Sequence, residues 1–181
     1  MDKRKTNVRI VAKEIETSKA NIIELNAADK TGVDDMHVII DNAKTKPLQG
    51  RYKIFIIDEC HSLTTQAQNS LLKILEEPPV YCIFILCTTD PQKILGTILS
   101  RAYRYDFQKI SFNGIVNRLK FILQSEKNST EGCGIQSWSD DALNYIAKIS
   151  NGGMRDAITL LDKCISYSKD LKIEDVIAVL G

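Results

Sequence analysis

The chain has 181 residues, of which 44% are hydrophobic and 26% charged, and its formal net charge is +1. These values suit one globular domain, or one domain with a small satellite. The balanced charge excludes a strongly basic nucleic-acid footprint over the whole chain. The sequence has no apolar run of about eighteen residues, so we predict no membrane span.

Neither the start of the chain nor its cysteines indicate an exported protein. The basic residues 1–5 are followed by no apolar stretch of signal-peptide type, so we expect a cytoplasmic protein. The five cysteines contain no C-x-x-C pair, and we predict free thiols and no zinc site. They are Cys60, Cys82, Cys87, Cys133 and Cys164.

The first part of the chain alternates predicted strands and helices. A cap at Thr64 or Thr65 starts one helix, and Pro78-Pro79 ends it, because the residue before a proline is pushed out of the helical region. The other elements, read from hydrophobic periodicity, are a strand at 21–25, a helix at 33–43, strands at 53–57 and 83–88, a helical turn at 94–99 and a last strand at 103–107.

After Gln108 the strand signals stop and helical periodicity takes over. The predicted helices cover 112–124, 139–150 behind a Ser139 cap, 154–167, and a short last segment through Val176 and Leu180, with a loop at 125–137. We therefore predict two domains: an α/β core with a parallel sheet at 1–109, missing its beginning, and a small all-helical lid at 110–181.

The most informative stretch is the apolar run at 54–57 that leads directly into Asp58 and Glu59. A strand this apolar belongs inside a parallel sheet, and ligands of such sheets bind at the carboxyl ends of the strands. In phosphate-loop hydrolases, the first acid of such a pair holds Mg²⁺, and the second can orient or deprotonate the attacking water. The alternative is a buried strand that ends in a solvated acidic turn.

The next core strand ends in two hydroxyls, Thr88 and Thr89. If the two strands are parallel neighbours, these hydroxyls lie beside Asp58 and Glu59, where one can hold the attacking water or a γ-phosphate oxygen. The alternative is a threonine that caps the turn before Pro91 for purely local reasons.

Two arginines complete the set of candidate residues. Arg101 closes the helical turn at 94–99, and Arg155 lies in the first turn of the helix at 154–167. Cations are mildly disfavoured at helix N-termini, so an anionic ligand would explain Arg155. The alternative for Arg155 is a surface salt bridge with Asp156 or Asp162, and for Arg101 a pair with Asp106 or another carboxylate of its own surface.

Six short strings follow one another in a characteristic order. They are Ile23-Glu24-Leu25-Asn26-Ala27-Ala28, Ile56-Ile57-Asp58-Glu59, Leu72-Lys73-Ile74-Leu75-Glu76-Glu77-Pro78-Pro79, Thr88-Thr89-Asp90-Pro91-Gln92-Lys93, Ile98-Leu99-Ser100-Arg101 and Met154-Arg155-Asp156-Ala157. In this order they resemble the AAA+ clamp-loader ATPases, in particular the gamma/tau family of bacterial DNA polymerase III. The resemblance runs from about Asn21 to Gly181 and implies an AAA+ P-loop-type core followed by a helical lid.

The resemblance also implies a role for each candidate residue. Asp58 corresponds to the Walker B magnesium residue, Glu59 to the catalytic glutamate, Thr89 to sensor 1 and Arg155 to sensor 2. Arg101 corresponds to the arginine finger, which acts in trans on the ATP of a neighbouring subunit. The implied cofactors are ATP and Mg²⁺. The implied function is to couple ATP binding and hydrolysis to loading of a sliding clamp on primed DNA, with other clamp-loader subunits, the clamp and primer-template DNA as partners.

The sequence departs from this family at its start. The phosphate-binding loop G-x-x-x-x-G-K-[ST] is not found, and no glycine precedes Gly32. Lys5-Thr6 followed by 8–13 resembles the tail of that loop, so we expect the chain to start just inside a truncated Walker A. Because a glycine-rich backbone supplies most phosphate contacts, we predict that this chain alone binds ATP weakly or not at all.

Three further departures concern zinc, one cysteine and assembly. The zinc-binding cysteine cluster of the family is missing between Glu14 and Asn21, and Ala102 stands where the family has a cysteine. No collar domain follows Gly181, and since the collar holds family pentamers together, we do not expect this chain to assemble alone.

Two other functions compete with an active clamp-loader ATPase. One is a module that does not bind ATP but supplies Arg101 and a docking surface to a neighbouring subunit, which the missing loop favours. The other is a fragment of a DExH-type helicase, because residues 58–61 read Asp-Glu-Cys-His. Against the helicase, residues 88–91 differ from an S-A-T-like string, and the chain has a predicted small helical lid where such a helicase would carry a second RecA-like domain.

Overall fold

The computed structural model describes residues 19–29, 32–128 and 134–181. It divides into two compact units between Tyr105 and Asp106, a few residues before the predicted boundary at 109/110. Each unit has its own hydrophobic core. The predicted loop tail at Lys5-Thr6 and the residue Cys133 lie outside the described residues.

Within the described residues, the first unit contains a three-stranded parallel sheet with strand order β1-β2-β3. Its elements in chain order are β1 (Ile22–Asn26), α1 (Val33–Ala43), β2 (Lys53–Asp58), α2 (Thr65–Glu76), β3 (Cys82–Leu86) and α3 (Gly96–Leu99), with short 3-10 turns at Lys19–Asn21, Cys60–Ser62 and Pro91–Lys93. The predicted strands and helices up to residue 99 are confirmed, with boundaries that differ by a few residues.

The central strand β2 lies between β1 and β3, and its apolar side chains are mostly buried. Ile54, Phe55 and Ile57 are fully buried. Phe55 pairs in register with Phe84 of β3, and their rings stack with centroids 5.0 Å apart. The register also pairs Ile57 with Leu86, so β2 and β3 end at the same edge of the sheet. Polar residues that directly follow either strand therefore lie at this shared edge of the sheet.

The start and end of α2 follow the sequence signals. Thr64 is the N-cap, and its Oγ1 accepts the Ala67 N–H at 3.2 Å. The helix ends at Glu76, just before the two prolines. Of the two threonines proposed as caps, Thr64 is the one used.

A buried glutamine on α2 holds the segment that leads into α3. Gln68 is 4% exposed. Its Nε2 donates to the carbonyl oxygens of Leu63 and Lys93 at 3.3 and 3.2 Å, and its Oε1 accepts the Leu95 N–H at 2.9 Å. One side chain thus satisfies three backbone groups on two segments that are distant in sequence.

We expect Gln68→Leu to destabilise the first unit by about 1–3 kcal/mol, because three backbone groups lose their hydrogen bonds to this buried side chain while the apolar volume is kept. The measurement is the free energy of unfolding from urea denaturation. Gln66→Leu is the matched control, since Gln66 is exposed on the same helix. Equal stability of the two variants would contradict a structural role for the Gln68 hydrogen bonds.

The predicted strand at 103–107 is wrong. The structure has no strand there, and Tyr103, Tyr105 and Phe107 are 93%, 79% and 95% exposed. Alternation of apolar and polar residues reports only a periodicity, whereas a strand also needs a neighbour with free backbone groups. Within the described residues, no strand hydrogen-bonds to this segment as a sheet partner.

The second unit consists of helices packed around one core, as predicted. Its elements are α4 (Phe112–Lys127), β4 (Ser137–Trp138), α5 (Asp140–Ile149), α6 (Met154–Tyr167), β5 (Asp170–Leu171) and α7 (Ile173–Leu180). Ser139 caps α5 as predicted and accepts the Ala142 N–H at 3.3 Å. The sequence did not predict the parallel pairing of β4 with β5, because two residues per strand are too few to show a period. No helix in the described ranges has the length and apolarity to span a membrane.

Candidate functional site

Asp58 is the last residue of β2, at the carboxyl edge of the sheet. Its backbone oxygen accepts the Ala27 N–H at 2.8 Å, which ties the ends of β1 and β2 together. Its Oδ1 accepts the Glu59 N–H at 3.0 Å, and the side chain is exposed. The carboxylate is therefore held at the edge where parallel sheets bind ligands.

Glu59 adopts a left-handed backbone conformation, with φ 51° and ψ 40°. For a residue other than glycine this conformation costs about 1–2 kcal/mol. It turns the chain from β2 into the 3-10 turn at Cys60–Ser62, whose Ser62 N–H bonds to the Glu59 carbonyl at 2.8 Å. Strained backbone of this kind is often found at functional sites, and here it sets the position of an acidic side chain.

The ends of β2 and β3 are joined by backbone hydrogen bonds. The Cys87 N–H donates to the Ile57 oxygen and the Cys60 N–H donates to the Cys87 oxygen, both at 2.9 Å. Beyond them, the Thr89 hydroxyl donates to Glu59 Oε2 at 3.3 Å. The predicted position of a threonine hydroxyl beside the acidic pair is confirmed.

Thr88 has a local role as well. Its Oγ1 accepts the Asp90 N–H at 3.0 Å, the threonine turn that the sequence offered as the alternative. The two neighbouring threonines therefore differ, since Thr88 shapes the turn and Thr89 contacts the acid.

His61 is a further residue of the site, and the sequence indicated it only as part of the helicase-like string. His61 Nδ1 lies 3.0 Å from Thr88 Oγ1 and 3.4 Å from Glu59 Oε2. The available signal was a histidine two residues after the acidic pair, but its contacts come from the turn after β3. We call the five residues at this edge the strand-end cluster: Asp58, Glu59, His61, Thr88 and Thr89.

Two cysteines near the cluster have raised thiol pKa values. Burial raises the pKa of the Cys60 thiol to about 11, and nearby Cys87 adds to the rise. Burial also raises the pKa of the Cys87 thiol. Both thiols are therefore protonated near neutral pH. In the part of the chain that the structure describes, no three His, Cys, Asp or Glu residues form a cluster that could hold a metal ion.

The donor set does fit a magnesium ion that is bound together with a nucleotide. Mg²⁺ prefers oxygen ligands and is commonly held by one or two carboxylates together with phosphate oxygens and waters. Asp58 offers an exposed carboxylate at the sheet edge. A single protein carboxylate is sufficient when phosphate oxygens supply other ligands, so the lack of a larger cluster does not argue against this kind of site.

Arg101 forms an ion pair on its own unit. It follows α3, and its Nη2 lies 2.7 Å from Glu76 Oε1 at the end of α2. Its Nη1 donates to the Thr97 oxygen at 2.6 Å. The local pairing considered for Arg101 thus exists, with Glu76 rather than Asp106 as the partner. Within the described residues, no hydrogen bond or ion pair joins Arg101 to the strand-end cluster.

Arg155 is the second residue of α6 and is exposed. In the residues that the structure describes, neither Asp156 nor Asp162 forms an ion pair with it, so the local alternative for Arg155 is not observed. The preceding turn needs a glycine: Gly152 has φ 86°, and a Cβ there would lie 2.7 Å from Lys109 Cβ. This turn fixes where α6 begins and therefore where Arg155 stands in the second unit.

Comparison with known proteins identifies the family. A family model described as DNA polymerase III, delta subunit, matches residues 2–111. A model described as DNA polymerase III clamp loader subunit, ATPase lid domain, matches residues 114–170. The helicase interpretation of residues 58–61 is not retained, because both models describe DNA polymerase III subunits.

Similar proteins include two curated tau subunits. DNA polymerase III subunit tau of Bacillus subtilis is 46% identical over 165 residues, which are 91% of this chain and 28% of that protein. The tau subunit of Escherichia coli is 37% identical over 171 residues, 93% of this chain and 25% of that protein. The chain therefore spans about a quarter of the length of these relatives.

Solved structures show the same fold. The RuvB Holliday junction branch migration motor of Thermotoga maritima is similar with a TM-score of 0.75 at 19% identity, covering 97% of this chain and 56% of that chain. A DNA polymerase III gamma subunit-related protein from the same organism has a TM-score of 0.52 at 22% identity, covering 97% and 60%. The fold is the α/β AAA+ fold followed by a helical lid. On the family models and this fold, the chain belongs to the DNA polymerase III clamp-loader family, whose AAA+ ATPases use nucleotide and Mg²⁺.

Proposed function

We propose that this chain is the ATPase part of a clamp-loader subunit, which couples ATP binding and hydrolysis to loading of a sliding clamp on primer-template DNA. Its partners would be other clamp-loader subunits, the clamp and DNA, in the cytoplasm. The observation that carries the proposal is the contact of Thr89 with Glu59 beside Asp58, at the shared carboxyl edge of β2 and β3.

Three residues of this edge have distinct parts. Asp58 would hold Mg²⁺ through its exposed carboxylate, and the ion would neutralise phosphate charge when bound. Glu59 would orient the attacking water and accept its proton, since a carboxylate within hydrogen-bond reach can act as a general base. Thr89 would hold the same carboxylate or a γ-phosphate oxygen through its hydroxyl.

The two arginines would act on phosphate charge from other positions. Arg155 is an exposed cation at a helix N-terminus without a carboxylate partner in the described residues, which supports a role as the sensor 2 contact to nucleotide. Arg101 has a side chain one third exposed, and its present partner Glu76 is a half-exposed carboxylate. Surface pairs of this kind contribute only about 0–1 kcal/mol, so release of Arg101 toward a neighbouring subunit costs little.

A second candidate function has its own supporting observation. No glycine precedes Gly32, so the chain shows no phosphate-binding loop. A chain without that phosphate-binding loop would be a module that binds no ATP and supplies Arg101 to a neighbouring ATPase. Two proteins are compared to separate these candidate functions. One is the 181-residue chain. The other, the tau chimera, is Bacillus subtilis tau in which this chain replaces the matching residues, so that the residues of tau before the match, where the family has its phosphate-binding loop, are kept.

We expect the 181-residue chain to bind a fluorescent ATP analogue weakly or not at all in the presence of Mg²⁺. Micromolar binding corresponds to a binding free energy of about −8 kcal/mol, and most of this free energy requires the phosphate-binding loop. The tau chimera should bind in the micromolar range and lose Mg²⁺-dependent affinity in Asp58→Ala.

Asp162→Ala is the matched control, because Asp162 is an exposed aspartate on α6. Micromolar binding by the 181-residue chain that Asp58→Ala abolishes would contradict the prediction of weak binding. Binding by the chimera that is indifferent to Asp58→Ala would contradict the proposed magnesium role.

A further inference from the structure

His61 is a member of the strand-end cluster that has no part in the proposed reaction. It lies in the 3-10 turn after Glu59, and its side chain is only 19% exposed. Its Nδ1 faces a hydroxyl, Thr88 Oγ1 at 3.0 Å, and a carboxylate oxygen, Glu59 Oε2 at 3.4 Å. The same ring atom therefore contacts both strand ends of the site.

These neighbours decide whether Nδ1 carries a hydrogen. A neutral imidazole has a hydrogen on one nitrogen and a lone pair on the other. A lone pair on Nδ1 would face the negative Glu59 oxygen and be repelled, whereas an N–H would be attracted. Thr88 Oγ1 accepts the Asp90 N–H and has a second lone pair for the Nδ1 hydrogen. Both neighbours are compatible with Nδ1–H, and the carboxylate selects it.

We propose that His61 is a positioning residue for Glu59, an inference that rests on the catalytic role of Glu59 in the proposed function. The Thr89 hydroxyl donates to Glu59 Oε2, and the Nδ1–H of His61, whose hydrogen bond goes to Thr88 Oγ1, attracts the same oxygen from 3.4 Å. No hydrogen bond from the described residues reaches Oε1. Thr89 thus holds one carboxylate oxygen by a hydrogen bond from the side of β3, the Nδ1–H of His61 attracts it from the side of β2, and Oε1 is presented to water.

The benefit of this arrangement is orientation. A general base is effective when it is held within hydrogen-bond reach of the proton that it removes. Residues that lock the rotamer of a catalytic side chain reduce the freedom lost during reaction. Glu59 is partly exposed, so packing alone does not fix its carboxylate.

Nuclear magnetic resonance of ¹⁵N-histidine in the 181-residue chain tests the proposal. The chain has two histidines, and the other, His37, is exposed on α1 and serves as an internal control. At about pH 8.5 an ordinary histidine is neutral, and its ring ¹⁵N shifts identify the tautomer. We expect Nδ1–H for His61 in the wild type and in Thr88→Val, and a shift toward Nε2–H in Glu59→Ala. An Nε2–H tautomer in the wild type, or no change in Glu59→Ala, would overturn the proposal.

Two isosteric variants test the effect on Glu59 itself. The amide nitrogen of His61→Asn lies near the place of Nδ1, whereas that of His61→Gln lies near the place of Nε2. We expect the side-chain carboxyl ¹³C resonance of Glu59 to stay near its wild-type position in His61→Asn and to move in His61→Gln. Equal behaviour of the two variants would contradict positioning through Nδ1, and a circular dichroism spectrum equal to that of the wild type shows that each variant is folded.

These measurements are made without nucleotide. They therefore give an answer even if the chain binds no ATP, and a failure of the His61 proposal leaves the ATP titration of the tau chimera unaffected. The two proposals can in this way fail separately.

Discussion

Glu59→Gln in the tau chimera is expected to lower steady-state ATP hydrolysis by about 100- to 10,000-fold while leaving nucleotide binding nearly intact. Glutamine keeps the size and polarity of the side chain and can still accept the Thr89 hydroxyl bond, but it cannot accept a proton from water. The measurement compares the hydrolysis rate with the dissociation constant of a fluorescent ATP analogue.

Two further variants make this result specific. Asp58→Asn should weaken Mg²⁺-dependent binding itself, because that role needs the charge of the carboxylate rather than its basicity. Glu77→Gln is the matched control, since Glu77 is exposed just beyond α2 and contacts no member of the strand-end cluster. Unchanged turnover in Glu59→Gln would remove Glu59 from the mechanism.

The second large effect is expected in trans, at Arg101. In a mixed complex, a tau chimera that carries Glu59→Gln hydrolyses little itself, so the measured rate belongs to an ATP-competent tau neighbour. Arg101→Ala in this chimera should lower the neighbour's turnover, since an arginine finger can supply about 10³- to 10⁵-fold in phosphoryl transfer. Lysine should substitute poorly, because it lacks the planar fork that grips phosphate oxygens.

The observed ion pair provides the control that separates a finger from a structural residue. If Arg101 only stabilises its own surface, Glu76→Gln should have the same effect as Arg101→Ala, because either change breaks the pair. Each would then alter stability by about 0–1 kcal/mol and leave the neighbour's rate unchanged. If Arg101 acts in trans, Glu76→Gln should keep the rate and only Arg101→Ala should lower it. An unchanged rate in Arg101→Ala, in a complex shown to form, would contradict the finger.

The core of the first unit and the contact between Thr89 and Glu59 could be predicted, because the sequence patterns that indicate them are local. The apolar run before Asp58 indicates a strand buried in a parallel sheet, and the run before Thr88 indicates another. Parallel neighbours end at the same edge, so the contact between Thr89 and Glu59 followed from these two patterns. The cap at Thr64 is likewise a matter of a few adjacent residues.

The features that the sequence did not predict depend on contacts between distant segments. Gln68 is a polar residue on an amphipathic helix, and only the positions of Lys93 and Leu95 make it a buried link. The His61 contacts depend on the turn after β3, and the partner of Arg101 lies on another helix. Periodicity reports which face of an element is apolar, but it does not report which polar groups meet across elements.

In the proposed function, this chain works as the ATPase part of a clamp loader. Its most direct test is ATP-dependent loading of a sliding clamp onto primed circular DNA by a complex assembled with the tau chimera. We predict loading at a rate comparable to that of the complex with unmodified Bacillus subtilis tau, and loss of repeated loading in Glu59→Gln. An assembled chimera that loads no clamp, or a Glu59→Gln variant that loads as repeatedly as the wild type, would rule out the proposed function.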